Sequence, residues 1–233
     1  MTKIITKPNP FIIPISADAD IGNAVFESLL GGGYYVAIGT QILFERDGQF
    51  FLTMIDNEHQ SYTKEDYGLL PFKAPYQLIN GKLTQYNSAT SAHQVALGNL
   101  LFNLALHTKD RKLGKVLFKP LDIHFDDSNV LQPDLFFISN ERKGIVKNYV
   151  YGAPDLVIEI AEIEEEPELV QKIEVYGKHN VLEYWAISYK DQTLDAYLNE
   201  GEKLVWQQQY QVEEEVKSAV IEGFSFTLGD IFE

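Results

Sequence analysis

Two Pro-Asp pairs, Pro133-Asp134 and Pro154-Asp155, each open a short apolar run, and the second run holds Glu159 among Leu156, Val157, Ile158 and Ile160. A carboxylate inside an apolar strand is costly to bury unless it is paired or bound to a cation. Glu159 is therefore the most informative residue in the chain. Asp155, Val157 and Glu159 share one face of a strand, yet Asp155 and Glu159 stand about 13 Å apart at about 3.3 Å per residue, too far to share one ion. If the two runs pair antiparallel, the start of one lies opposite the end of the other, and Asp134 falls beside Glu159. Two such carboxylates suit a hard cation such as Mg²⁺, which keeps several waters, can activate one of them and stabilises a phosphoryl transition state. The alternative is an internal acid pair satisfied by backbone groups and by Lys172.

Lys172 lies on the next helical segment. Glu168, Lys172 and Tyr176 are spaced four apart and line one side of it. From there the Lys172 ammonium can reach over the sheet edge while its stem packs on the core; the competing reading is a salt bridge to Glu168. Asp155 reads as a local side-chain turn at a strand start. Tyr176 and Trp185 read as core. His124, near Asp126 and Asp127, reads as an exposed turn, with a metal site as the rival.

The elements that must position these groups follow from periodicity and turn chemistry. Residues 1–60 form an extension that reads differently from the rest. Pro8, Pro10 and Pro14 mark an irregular lead, Ile21 to Leu30 suits a short helix ended by Gly31-Gly32-Gly33, and Tyr34 to Glu45 is rich in β-formers. Asp47-Gly48 then turns into Phe50 to Ile55, a hairpin. Asp56 to Ser61 makes a boundary, and residues 61–233 form a second unit. Asn80-Gly81 between Tyr76-Gln77-Leu78-Ile79 and Lys82-Leu83-Thr84-Gln85-Tyr86 is a strong hairpin signal. Ser91 with Gln94 fits a capping box, and Leu97, Leu100, Leu101 and Leu104 recur at helical spacing up to Gly114. Val116 to Phe125 reads as a strand interrupted by Pro120. Leu135 to Ser139 and Leu156 to Ala161 are apolar strands. Pro167 opens a helix whose core face is Leu169, Ile173 and Tyr176. Glu183 to Tyr189, Thr193 to Leu198 and Lys203 to Gln209 are three more strands. The order predicts a mixed α+β core with a partly antiparallel sheet.

Composition narrows the function classes. The chain has 233 residues, 45% of them hydrophobic, enough for a sizeable core, and no apolar run long enough to cross a membrane. It has no cysteine, so disulfides and thiolate metal sites are excluded, and no signal-peptide pattern, so a cytoplasmic setting is the expectation. No Gly-rich phosphate loop is present, which argues against nucleotide binding. The net charge of −15 by itself argues against a nucleic-acid partner, because such proteins usually carry a basic footprint. Much of the acid lies in Glu162 to Glu168 and Glu213-Glu214-Glu215, however, and Lys109, Arg111, Lys112, Lys115 and Lys119 form a basic stretch. Both kinds of run read first as solvated surface.

The combined pattern resembles a known family. Gln132-Pro133-Asp134 through Ser139, then Gly152-Ala153-Pro154-Asp155 through Ile160, Lys172 with Tyr176, and Val181 through Trp185 look like the Uma-two family of restriction-endonuclease-type proteins, within the PD-(D/E)XK nuclease superfamily. The resemblance runs from about Thr63 to Phe232. It implies a restriction-endonuclease-like mixed sheet flanked by helices, here with a β-rich N-terminal extension, and a Mg²⁺- or Mn²⁺-dependent endonuclease acting on nucleic acid, DNA above all. In that pattern Asp134 and Glu159 are the metal acids, the Ile160 carbonyl is a third ligand, and Lys172 replaces the usual lysine two residues after Glu159, where Ala161 stands. Asp155 matches a recurrent acid at the strand entrance, and His93 stands where the family often has histidine. The chain departs from the family at Gln77 and Lys82, often Glu there, at Glu168, usually Asp, and in the loop after Glu159. These departures keep open a second reading: a catalytically weak or inactive nuclease-fold module for binding or regulation. A homodimer is expected by analogy with nucleases.

Overall fold

The computed structural model of the chain describes residues 12–15, 35–38, 41–46, 49–71, 74–86, 89–161 and 167–233. The expected helix at residues 21–30, the Asp47-Gly48 turn and the acidic loop 162–166 lie outside the described residues. Four strands come first: β1 (Ile12–Ile15), β2 (Tyr35–Ile38), β3 (Gln41–Arg46) and β4 (Gln49–Met54), an antiparallel sheet in the order β1-β4-β3-β2. β3 and β4 pair with Arg46 opposite Gln49, as the expected hairpin requires.

A one-turn helix unforeseen in the sequence, α1 (Lys64–Tyr67), follows, held at its start by a reciprocal capping box between Thr63 and Asp66. β5 (Tyr76–Ile79) and β6 (Lys82–Gln85) form the hairpin expected at Asn80-Gly81. Both turn residues have positive φ, 49° and 74°, the conformation that Asn-Gly adopts readily. The long helix α2 (Ser91–Arg111) is capped one residue earlier than expected: the Thr90 hydroxyl accepts the His93 N–H at 3.3 Å. It ends at Lys112, in the left-handed region. Gly114 opens the next strand instead of closing the helix. A Cβ there would lie 2.2 Å from the Ile138 carbonyl oxygen, so close packing requires this glycine.

The single interrupted strand expected over Val116–Phe125 is two strands in two sheets, β7 (Gly114–Phe118) and β8 (Ile123–His124). Pro120 has no N–H with which to continue a ladder. Next come β9 (Val130–Leu131), β10 (Leu135–Ser139), β11 (Val150–Tyr151), β12 (Leu156–Ala161), α3 (Pro167–Lys178), β13 (Glu183–Ser188), β14 (Thr193–Asn199), β15 (Leu204–Tyr210), β16 (Glu215–Lys217) and β17 (Ser225–Thr227).

The central sheet has the order β15-β14-β13-β12-β10-β7. β12 and β13 are parallel, linked across α3, and every other neighbour pair is antiparallel. Alternate residues face opposite layers. Leu135, Phe137, Ile158 and Trp185 pack toward Leu97, Leu100 and Leu104 of α2. Phe136, Ile138, Val157 and Ala186 pack toward Val175 and Tyr176 of α3. A smaller sheet, β11-β8-β9-β5-β6, stands beside it. The result is a mixed α+β fold. Among the described residues no helix is long and apolar enough to cross a membrane.

Candidate active site

β10 and β12 are antiparallel with Leu135 opposite Ile158. One more step in that register sets Asp134 opposite Glu159. By alternation Asp134 falls on the face of Phe136, and Glu159 on the face of Val157, which is the α3 side. β7 pairs with β10 so that Phe118 faces Leu135. The same step brings Lys119 opposite Asp134, and the Lys119 N–H donates to the Asp134 carbonyl at 3.2 Å.

Both carboxylates are buried, Asp134 at 3% exposure and Glu159 at 5%, so each needs partners. Asp134 Oδ2 accepts the Ile160 N–H at 2.8 Å. Its Oδ1 lies 3.1 Å from His93 Nε2 and 3.7 Å from Lys119 Nζ. Glu159 Oε1 accepts the Tyr176 hydroxyl at 2.7 Å and lies 3.4 Å from Lys172 Nζ. Lys172 Nζ also reaches Glu168 at 3.3 Å, one helical turn earlier. Lys172, Tyr176 and Glu168 thus present one side of α3 to the acids, as their spacing requires.

The surroundings set the charge states. Burial works against an ionised Asp134, but His93, Lys119 and the Ile160 N–H outweigh it and hold its carboxyl below the ordinary range. Burial raises Glu159, with the neighbouring Asp134 adding to the effect and Lys172, Lys119 and Tyr176 opposing it. Burial also disfavours the Lys172 ammonium, yet Glu159, Glu168 and Asp134 lift its pKa above that of an ordinary lysine. Lys172 is therefore a standing cation and not a base. His93, Lys119, Asp134, Glu159, Glu168 and Lys172 line an open cleft of about 780 Å³ between the start of α2, the Lys119-Pro120 bend, β12 and α3, with Tyr176 buried behind it.

Four further residues fall elsewhere. Asp155 is at the far end of β12, where its carboxylate accepts the Ser139 N–H at 2.7 Å and the Ser139 hydroxyl at 3.1 Å and faces Arg142 at 3.4 Å. Gln77 is fully buried in β5, its Oε1 accepting the Gln132 N–H at 2.8 Å and its Nε2 without a partner among the described residues. His124 is not on an exposed turn: it is half-buried on β8, stacked on Tyr151 with ring centroids 5.0 Å apart. Trp185 is fully buried. Lys119 is the site residue that sequence reasoning left in the basic stretch. It is the residue after β7, and the β7–β10 register that brings it to Asp134 joins segments that local patterning leaves apart.

The donor set fits a hard divalent cation at the acid pair. Two carboxylates from adjoining strands open into the same cleft. The Ile160 carbonyl leaves β12 on the same side as the N–H that meets Asp134, as both backbone groups of an extended residue do. Among the described residues, no group of three His, Asp or Glu side chains completes a ligand cluster, so a backbone oxygen and water would have to supply the rest.

The family model described as "Putative restriction endonuclease", Uma2, matches residues 65–229. The chain belongs to the Uma2 family. All the groups around the Uma2 acid pair, from His93 to Tyr176, lie within the matched residues. A solved structure described as a "putative nuclease belonging to DUF820", from Anabaena variabilis, shares the fold at a TM-score of 0.61, with 19% identity over 73% of this chain and 97% of that one. No curated protein matches the chain.

Proposed function

We propose that this Uma2 chain is a metal-dependent endonuclease that hydrolyses phosphodiester bonds of DNA. The observation that carries the reading is the meeting of Asp134 and Glu159 across β10 and β12, buried, with the Lys172 ammonium against Glu159. Asp134, Glu159 and the Ile160 carbonyl would hold Mg²⁺ or Mn²⁺. Such an ion, when bound, lowers the pKa of an attacking water and neutralises charge on the scissile phosphate. Lys172, kept charged by its acidic neighbours, stabilises negative charge developing on a phosphoryl oxygen. Tyr176 fixes the Glu159 carboxylate, while His93 and Lys119 fix Asp134. The test is incubation of purified protein with plasmid, single-stranded DNA and RNA, with and without Mn²⁺. Cleavage that requires metal and is lost in Asp134→Asn and Glu159→Gln is expected; undiminished cleavage by either variant defeats the assignment.

One set of contacts favours the second reading, a nuclease-fold module without strong catalysis. Each carboxylate already has a cationic neighbour in the protein, and Gln77 is tied to backbone. Calorimetry with millimolar Mn²⁺ separates the two, since the module predicts no binding heat. We also propose a homodimer through the outer face of α2, where Val95, Phe102 and Leu106 are exposed, Phe102 at 67%, around an open Gly98. A Phe102→Asp variant would then elute as a monomer where the parent elutes as a dimer.

A further inference from the structure

Five of the chain's 19 Lys and Arg residues fall between positions 109 and 119, accompanied there by a single acid, Asp110, in a protein of net charge −15. The fold gathers these cations. Lys109 and Lys112 at the end of α2 and Lys115 on β7 line an open cleft of about 540 Å³, with Thr108 and Asn140 in its wall. β7 is the outermost strand of the central sheet. Among the described residues Lys109, Lys112 and Lys115 have no carboxylate partner, whereas Lys119 and Lys172 are each held by acids of the site.

Position in the sheet ties this strip to the acid pair. Residues two apart on a strand share a face, so Lys115 and Lys119 project from the same side of β7, about 13 Å apart at about 3.3 Å per residue. That side also carries Asp134 and Glu159, because Lys119 lies opposite Asp134 in the β7–β10 register. Lys109 and Lys112 come from α2 on the other layer and meet Lys115 at the sheet edge, where the three line one cleft. On a duplex with one phosphate per about 3.4 Å of each strand, the interval corresponds to about four base pairs. Lysines near a helix C-terminus are often explained by the helix dipole alone. That explanation reaches Lys109 and Lys112 but not Lys115, which lies beyond the helix. A net charge of −15 repels a polyanion on average, which sets apart a strip of lysines without acid partners.

We propose that Lys109, Lys112 and Lys115 bind the phosphodiester backbone of a nucleic-acid strand and lead it along the edge of β7 to Lys119 and the acid pair. That the strand is then cut rests on the endonuclease reading above; that it binds here does not. Each lysine that neutralises a phosphate releases a counterion, so the strip writes itself into the salt dependence of binding.

The experiment uses the full chain and its Lys109→Gln/Lys112→Gln/Lys115→Gln variant. Binding to fluorescein-labelled single-stranded DNA, duplex DNA and RNA of one sequence is followed by anisotropy in EDTA at several salt concentrations. Loss of three phosphate contacts lowers the slope of log K against log salt by about 2.1 for single strands and about 2.7 for duplex. Weaker binding at low salt is expected with it, while Lys217→Gln, at an exposed pair with Glu215 away from the strip and the acid pair, keeps the parent slope. The arm whose slope falls by its full expected amount identifies the bound form. Lys115→Glu alone serves as the second variant if the triple one does not fold. Equal slopes in parent and variants overturn the track and leave the endonuclease reading standing. A parent that binds with the predicted slope but never cleaves with Mn²⁺ overturns the endonuclease reading and leaves the track. A parent that binds no nucleic acid overturns both.

Discussion

Replacing Lys172 with Met tests the electrostatics of the site most directly. The ammonium is 3.4 Å from Glu159 Oε1 and 3.3 Å from Glu168 Oε1, and only 9% of the lysine is exposed. At an effective dielectric of about 20, the 3.4 Å separation corresponds to about 5 kcal/mol of attraction before desolvation is subtracted. Removing one partner of a buried pair typically costs about 3–5 kcal/mol, because the other charge is left uncompensated. Glu159 can limit that cost by taking up a proton. Its pKa already lies above the ordinary 4.5 through burial and Asp134, and loss of Lys172 pushes it higher. Between about pH 4.5 and that raised pKa the folded variant holds a proton that the unfolded chain has released. Its stability therefore falls as pH rises through this window, by at most about 1.4 kcal/mol per pH unit for one group, and levels off above it. Urea unfolding of parent and variant at pH 4.5, 6 and 8 should show a gap of about 3–5 kcal/mol at pH 8 that narrows toward pH 4.5. Adding Glu159→Gln to the variant should recover most of the loss, since a pair replaced by neutral groups of similar size is often tolerated. A loss at pH 8 below about 1 kcal/mol, as for an exposed ion pair, or a gap that ignores pH, would refute the buried-pair reasoning.

Other substitutions probe the frame around the site. Tyr176→Phe deletes the 2.7 Å hydrogen bond to Glu159 and should lower urea stability by about 1.5–3 kcal/mol, the range for bonds to charged groups. Gly177→Ala should lower the melting temperature even though alanine favours helices by about 1 kcal/mol. A Cβ there would lie 2.7 Å from the Leu204 backbone nitrogen and force α3 off β15. His124 has its pKa lowered from 6.5, first by burial and then by Lys64, with Asp122 opposing. The unfolded chain binds this proton more readily, so stability contributed by the neutral ring is complete above about pH 6.5 and is lost as pH falls toward the folded pKa. Melting curves at pH 7.5 and 5.5 should show a steeper acid loss in the parent than in His124→Gln.

Local signals carried the sequence reading as far as local physics reaches. Asn80-Gly81 has one good hairpin conformation, and Leu97, Leu100 and Leu104 have one period, so both elements are where the sequence puts them. The split at Pro120 was visible as an interruption, but the departure of β8 into another sheet depends on partners distant in the chain. Lys119 was missed for the same reason: its place opposite Asp134 follows from the β7–β10 register and not from its neighbours. Glu183 shows the limit most sharply. It sits at the start of β13 beside Leu156, just as buried as Glu159, and burial likewise raises its pKa, against the hydrogen bonds it accepts. Its carboxylate is satisfied by neutral donors from a later segment, with the Ser218 hydroxyl at 2.6 Å, the Ala219 N–H at 3.0 Å and the Val220 N–H at 3.2 Å, and by Trp185 Nε1 at 2.9 Å. Burial of an acid is therefore not the mark of chemistry here. What separates Glu159 is a second carboxylate opposite it, whose repulsion adds to burial, and an ammonium against it, where Glu183 meets only neutral donors. The two should respond in opposite ways to substitution. Ser218→Ala should cost about 1.5–3 kcal/mol of stability, as expected for a lost bond to a carboxylate, and leave Mn²⁺ binding heat unchanged. Glu159→Gln should abolish that heat and also cost stability, since the buried Lys172 ammonium loses one of its two carboxylate partners. If Ser218→Ala weakened the metal instead, the contrast between a structural and a functional buried acid would fail.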